Sequence, residues 1–245
     1  GGVLAKGETV IENAAREPEI VQLCDALNKM GAIIDGINTD KIIIQGVEEL
    51  QSTDLNVIPD RIEAGTYLIA GAAMGEITVN YCNPNHLNVL IEKLIEAGAK
   101  IDTSKNSITI KKANPINPVD VTTEVYPGFP TDLQAQWIAL MAIASGSSVV
   151  KDTVYHDRFT HIPELNRLGA NIELRENMAI INGVDHLIGA PVMSTDIRAS
   201  AALILGAIMA RGKTDISRIY HIDRGYEFIE KKFQALGVDI VRKND

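Results

Sequence analysis

A pattern that returns four times along the chain restricts its fold more than any single motif does. Each copy has a small residue and a glycine, a β-branched run, a helix-like segment closed by a second glycine, and an isoleucine-containing stretch. The first glycines are Gly7, Gly75, Gly146 and Gly212. The second ones, Gly31, Gly98, Gly169 and Gly237, fall roughly 70 residues apart, too far for a short solenoid unit and suited to a subdomain.

Each copy reads the same way. A first helix ends at its small residue and glycine. A short strand follows, as in Glu76-Ile77-Thr78-Val79. Leu87, Leu90, Ile91, Leu94 and Ile95 then recur at helical spacing. That second helix stops at a glycine able to take the left-handed conformation. Lys41-Ile42-Ile43-Ile44-Gln45, Ser107-Ile108-Thr109-Ile110 and Met178-Ala179-Ile180-Ile181 predict closing strands, and Asn38-Thr39-Asp40 and Lys105-Asn106 predict hairpin loops. In the fourth copy, Thr214-Asp215-Ile216 and Ile240 hold the strand positions. The segments Ile138–Ala144 and Ala201–Ala210 are apolar nearly all round, which marks helices buried on every side. The fold class that follows is α+β: repeated αβ units with buried helices inside and sheets outside, about a pseudo-threefold axis.

The ends also carry information. Gly1-Gly2-Val3-Leu4 reads as the tail of a first helix, and Val241-Arg242-Lys243-Asn244-Asp245 stops before the closing strands of the other copies. This predicts a piece of a longer chain.

The net charge is -9 and there is no basic run, which argues against nucleic acid as a partner. An acidic protein that binds an anion must use a local cluster of bases. No apolar run is long enough to span a membrane. The two cysteines form no metal-like pair; Cys24 reads as a core thiol and Cys82 lies at a turn beside Pro84. His156, His161 and His221 lack metal-ligand spacing and are expected to be hydrogen-bonding scaffold, so no metal is predicted.

The candidate chemistry begins at Phe129-Pro130-Thr131-Asp132-Leu133-Gln134, where a loop enters a helix. Asp132 has two readings there: an acid capping the first free N–H groups, or a group acting on a hydroxyl. Arg158, Arg198 and Arg224 recur at similar junctions. Each could pair with a sequence neighbour, Asp157, Asp196 or Asp223. Alternatively, their guanidinium forks would suit a carboxylate or phosphate ligand.

Five stretches carry a family resemblance: Ile11–Ile20, Pro59–Thr66, Phe129–Gln136, Thr195–Ser200 and Arg218–Glu227. Together they resemble the enolpyruvyl transferases, on the UDP-N-acetylglucosamine 1-carboxyvinyltransferase branch. The resemblance implies an inside-out α/β barrel of two domains, with residues 1–56 the end of the catalytic-loop domain. Residues 57–245 would be most of the second domain, holding three repeated units, the last incomplete. It implies transfer of the enolpyruvyl group of phosphoenolpyruvate to the sugar 3′-hydroxyl, the first committed step of peptidoglycan synthesis, in the cytoplasm and without a cofactor. Asp132 matches the residue that takes the hydroxyl proton, and Arg224 one that contacts phosphoenolpyruvate. Arg158 and Arg198 match neighbouring arginines, and Val154 a backbone contact to the sugar nucleotide. Arg16 would be a structural link between domains. The proton-donating cysteine of a Gly-Gly-Cys loop and a Lys-Asn pair would belong to a missing N-terminal half, leaving this chain inactive alone. The runner-up readings are the 3-phosphoshikimate branch and a non-catalytic ligand-binding module. Asn13–Glu19 favours the sugar-nucleotide branch.

Overall fold

The computed structural model describes residues 1–243; Asn244 and Asp245, part of the expected fourth-repeat terminus, lie outside the described residues. The chain divides into two compact units. One is Gly1–Pro59 with Val125–Gly128, the other Asp60–Glu124 with Phe129–Asp245.

The first unit holds β1 (Glu8–Glu12), α1 (Pro18–Lys29), β2 (Ile33–Asp35) and β3 (Lys41–Gln45). The strands form one antiparallel sheet in the order β1-β3-β2. Pro18 opens α1, where its missing N–H costs nothing and its fixed φ suits the helix. Val3, Cys24, Ala32, Ile34, Ile42 and Ile44 make a small core of their own. Arg16 donates to the carbonyl of Tyr126 at 3.4 Å, within this unit.

The second unit opens with α2 (Arg61–Met74), β4 (Ile77–Asn80), α3 (Asn88–Glu96), β5 (Lys100–Thr103) and β6 (Ser107–Lys111). Its sheet repeats the first arrangement, β4-β6-β5, antiparallel throughout. Next come β7 (Val121–Thr123), α4 (Gln134–Met141), β8 (Ser147–Asp152), α5 (Ile162–Arg167), β9 (Asn171–Arg175) and β10 (Met178–Asn182). Here β7 adds a parallel edge to give β7-β8-β10-β9. The unit ends with β11 (Leu187–Ile188), β12 (Pro191–Met193), α6 (Ile197–Met209), β13 (Ala210–Arg211), β14 (Asp215–Ser217) and α7 (Ile229–Ala235).

The helices with no polar face are the ones inside. Every residue of α4 is buried, as are Ala64–Ala73 of α2 and Ala199–Gly206 of α6. Each of the three touches the other two. Small residues permit the close approach. A Cβ on Gly65 would stand 2.6 Å from Leu133, and one on Gly71 would overlap Ile110. The buried polar groups Thr66, Gln136 and Tyr226 bond to one another, although Gln136 Oε1 has no partner among the described residues. Thr66 Oγ1 and the Tyr226 hydroxyl are 2.8 Å apart, and Gln136 donates to Thr66 at 3.1 Å. Burial pushes the Tyr226 hydroxyl up to about 12.

The four second glycines all have φ between +87° and +99°, the left-handed stop expected of them. Three residues before Gly31 and Gly169, the amides of Asn28 and Asn166 bond both backbone groups of Ile34 and Ile172. This ties helix end to strand in both copies. The fourth copy departs from the expectation. Its strands β13 and β14 pair in parallel with β11 and β12, from before α6. Ile240 lies in no strand and packs against the core instead. Among the described residues no helix is long and apolar enough to cross a membrane.

Candidate active site

Asp132 lies in a single 3₁₀ turn, Thr131–Leu133, which leads into α4. The capping reading is corrected: no side chain caps either helical start. The turn instead closes on the backbone, with Leu133 N–H donating to the Pro130 carbonyl at 3.0 Å. Genuine caps occur at the other two central helices. Asp60 accepts from Ile62 and Glu63 N–H at 2.7 and 3.1 Å, and Asp196 from Arg198 and Ala199 N–H at 2.8 and 3.0 Å.

Released from capping, the Asp132 carboxylate faces two guanidiniums. Arg158 Nη1 donates to Asp132 Oδ1 at 2.7 Å, and Arg198 Nε donates to the same oxygen at 2.5 Å, with Arg198 Nη2 also paired to it. The alternative pairs with sequence neighbours do not form. Asp196 spends its carboxylate on the N-terminus of α6 and on the hydroxyls of Thr160 and Thr195. Those bonds hold it below the ordinary carboxylate value, although burial alone would raise it. Asp223 pairs with Arg242, at 2.7 and 3.0 Å.

Two cations therefore converge on one acid, leaving the cluster a net positive charge. The side chains are 18%, 30% and 34% exposed for Arg158, Arg198 and Asp132, so solvent reaches them. Charges so placed contribute little to stability through screening. They are well placed to bind an anion bidentately. Among the described residues, Asp132 Oδ2 has no hydrogen-bond partner.

A buried acid that sequence reading passed over stands behind this cluster. Asp152, the last residue of β8, is fully buried and accepts from Thr123, Thr131, Val154 N–H and Tyr155 N–H. Burial alone would raise its carboxyl; the four donated bonds hold it below the usual value. The one local signal was an acid ending a strand just before a turn.

Val154 is exposed, and its N–H donates to Asp152 Oδ1 at 3.0 Å. Arg224 ends the 3₁₀ turn Ile219–Arg224, which packs against α6. It is exposed, and among the described residues it forms no ion pair. The structure thus joins Asp132, Arg158 and Arg198 directly and does not bring Arg224 into contact with them.

The histidines do not match their expected scaffold role. His156 is exposed. His161 is buried with no partner for Nε2, and His221 Nε2 is likewise unpaired, its ring stacked 4.3 Å from that of Tyr220. Burial lowers His161 to about 4, against a weaker opposite pull from Asp196. The unfolded chain therefore binds a proton that the folded one refuses between about 6.5 and 4. Stability should fall as the pH is lowered through that window, by up to about 1.4 kcal/mol per unit. Denaturation of His161→Leu against the unaltered chain checks this: the slope should flatten between those limits. Asp152 and Asp196, with depressed carboxyls, lose their contribution only below it. Burial raises the Cys24 and Cys82 thiols, and both are buried.

The chain as a whole is similar to known proteins. The chain is 52% identical over 244 residues to UDP-N-acetylglucosamine 1-carboxyvinyltransferase of Hydrogenovibrio crunogenus, covering 99% of this chain and 58% of that protein. It is 50% identical over 242 residues to the protein of that name from Myxococcus xanthus, covering 98% and 58%. The chain thus spans less than two thirds of the length of these relatives. The enolpyruvyl transferase NikO from Streptomyces tendae superposes with a TM-score of 0.87 at 26% identity, over 97% of this chain and 57% of that one. EPSP synthase from Acinetobacter baumannii shares the fold, with a TM-score of 0.71 at 18% identity over 98% and 59%. A family model described as EPSP synthase (3-phosphoshikimate 1-carboxyvinyltransferase) matches residues 1–233, and the chain belongs to that family.

Proposed function

We propose that the protein containing this chain transfers the enolpyruvyl group of phosphoenolpyruvate to the 3′-hydroxyl of UDP-N-acetylglucosamine. The observation that carries the reading is the meeting of Arg158 and Arg198 on Asp132 from separate junctions, with Oδ2 open. The guanidiniums take the carboxylate and phosphate oxygens of phosphoenolpyruvate, joined by Arg224 from its neighbouring turn. An incoming anion competes with Asp132 for the same donors, so anion and hydroxyl bind side by side. Asp132 Oδ2 receives the hydroxyl proton as the sugar oxygen bonds to the carbon that bears the enol phosphate. The vinyl carbon gains a proton, giving a tetrahedral adduct. Loss of that proton and of phosphate restores the double bond. Val154 is exposed on the turn before Arg158, and its backbone carbonyl suits a donor on the sugar nucleotide.

The proton for the vinyl carbon comes from outside this chain on this reading, since neither Cys24 nor Cys82 lies in a Gly-Gly-Cys loop. Residues 1–56 form the end of one domain and 57–245 most of the other. On this reading the reaction takes place in the cytoplasm and belongs to cell-wall peptidoglycan synthesis; the names of the curated relatives support the transfer to UDP-N-acetylglucosamine.

Phosphate release by the full-length protein tests the reading. Release should require phosphoenolpyruvate and UDP-N-acetylglucosamine together, while the isolated 245-residue chain should release none. Release that depends on shikimate 3-phosphate instead would reassign the acceptor. Turnover by the isolated chain would place the proton donor within it.

A further inference from the structure

We propose that Asp152 is a positioning residue for the Asp132–Arg158 pair and acts through the hydroxyl of Thr131. This rests on the enolpyruvyl-transfer reading of the cluster. The argument starts from how fully Asp152 is held. Its N–H donates to the Asn177 carbonyl at 2.9 Å, and its carbonyl accepts from the Asn177 amide at 2.8 Å. Oδ1 accepts from Thr123 Oγ1 at 2.7 Å, Val154 N–H at 3.0 Å and Tyr155 N–H at 2.8 Å. Oδ2 accepts from Thr131 Oγ1 alone, at 2.6 Å.

The bonds to Oδ1 close the local turn and would be formed by a merely structural acid. The bond to Oδ2 does more, because it crosses to the residue beside Asp132. A threonine hydroxyl has one proton. Asp152, ionised, can only accept, so the Thr131 proton is committed to it. The lone pairs of Thr131 are then left for Arg158, whose Nη1 donates to Thr131 at 3.2 Å and to Asp132 at 2.7 Å. Asp152 therefore sets the direction of the Thr131 hydroxyl, and that direction gives Arg158 two acceptors instead of one. The guanidinium is fixed where it must meet both Asp132 and the substrate anion.

An asparagine at this position should break the relay without changing shape. Three donors crowd Oδ1, so the amide oxygen must take that side. The amide N–H₂ then faces Thr131 and turns its proton toward the Arg158 cation.

The test uses the full-length protein with phosphoenolpyruvate and UDP-N-acetylglucosamine. Asp152→Asn is expected to lower kcat about tenfold or more, as small misplacements of a reacting group do. The KM for the sugar nucleotide should hardly move. Thr131→Val should reproduce the loss and Thr131→Ser should restore it, since only the serine keeps the hydroxyl. The double variant Asp152→Asn/Thr131→Val should be no worse than either single one, because both cut the same link. Should Asp152→Asn fail to fold, the valine and serine variants still decide the question. Normal kcat in Thr131→Val, with Asp132→Ala impaired, would overturn the relay and leave the transfer reading standing. Losses that track melting temperature, with no serine rescue, would also overturn it. Normal kcat in Asp132→Ala would remove the transfer reading and the relay together.

Discussion

Asp132→Ala in the full-length protein should lower kcat by about 10²–10⁴-fold, the range expected when a positioned proton acceptor is removed. The fold should survive. Asp132 caps no helix, and its two ion pairs are open enough to solvent that their loss costs under about 1 kcal/mol. Phosphoenolpyruvate binding should hold or tighten, because Arg158 and Arg198 lose the carboxylate that competes for their donors. Steady-state kinetics with a melting curve would separate these effects. Unchanged turnover would exclude Asp132 from the chemistry, and turnover lost in step with melting would make it a structural residue.

Arg224→Ala should raise the KM for phosphoenolpyruvate roughly 10- to 100-fold, the loss of one charge-assisted hydrogen bond to an anion. The KM for the sugar nucleotide should change little. The asymmetry follows from where the charge sits. Asp223 is occupied by Arg242, so it does not neutralise its neighbour. Tyr226, two residues on, anchors the chain to Thr66 and Gln136 in the helical core. The backbone that presents Arg224 thus does not depend on the guanidinium. Equal loss for both substrates would show that Arg224 supports the fold rather than the anion.

Much of the architecture was legible because it is written locally and repeatedly. The glycines at Gly31, Gly98, Gly169 and Gly237 announced left-handed stops, and all four have positive φ. Segments apolar on every face, such as Ile138–Met141, could only be interior. In the fourth copy the strand at Asp215–Ile216 forms as β14, but its pairing was not legible because strand pairing is not local: β13 and β14 found partners ahead of α6, and Ile240 joined no strand. The histidines misled for a related reason. Nothing near His161 in sequence says that its ring will be enclosed without a partner.

The candidate site divides along the same line. Asp132, Arg158 and Arg198 could be picked out by their junctions and by resemblance, but not their partners. Arg158 has Asp157 beside it and Arg198 has Asp196 two residues back, yet both reach Asp132, 26 and 66 residues away. Asp152 gave almost no signal, since its role arises only where β7, β8 and the Asp132 turn meet.

Sequence alone determined the repeat, the burial of the central helices and the residues able to do chemistry. Periodicity and side-chain type reside in the chain itself. Which acid each arginine holds, and which way the Thr131 hydroxyl points, were decided only by tertiary structure. Hydrogen bonds go to whichever groups the packed helices bring within about 3 Å, and nearness along the chain does not govern that.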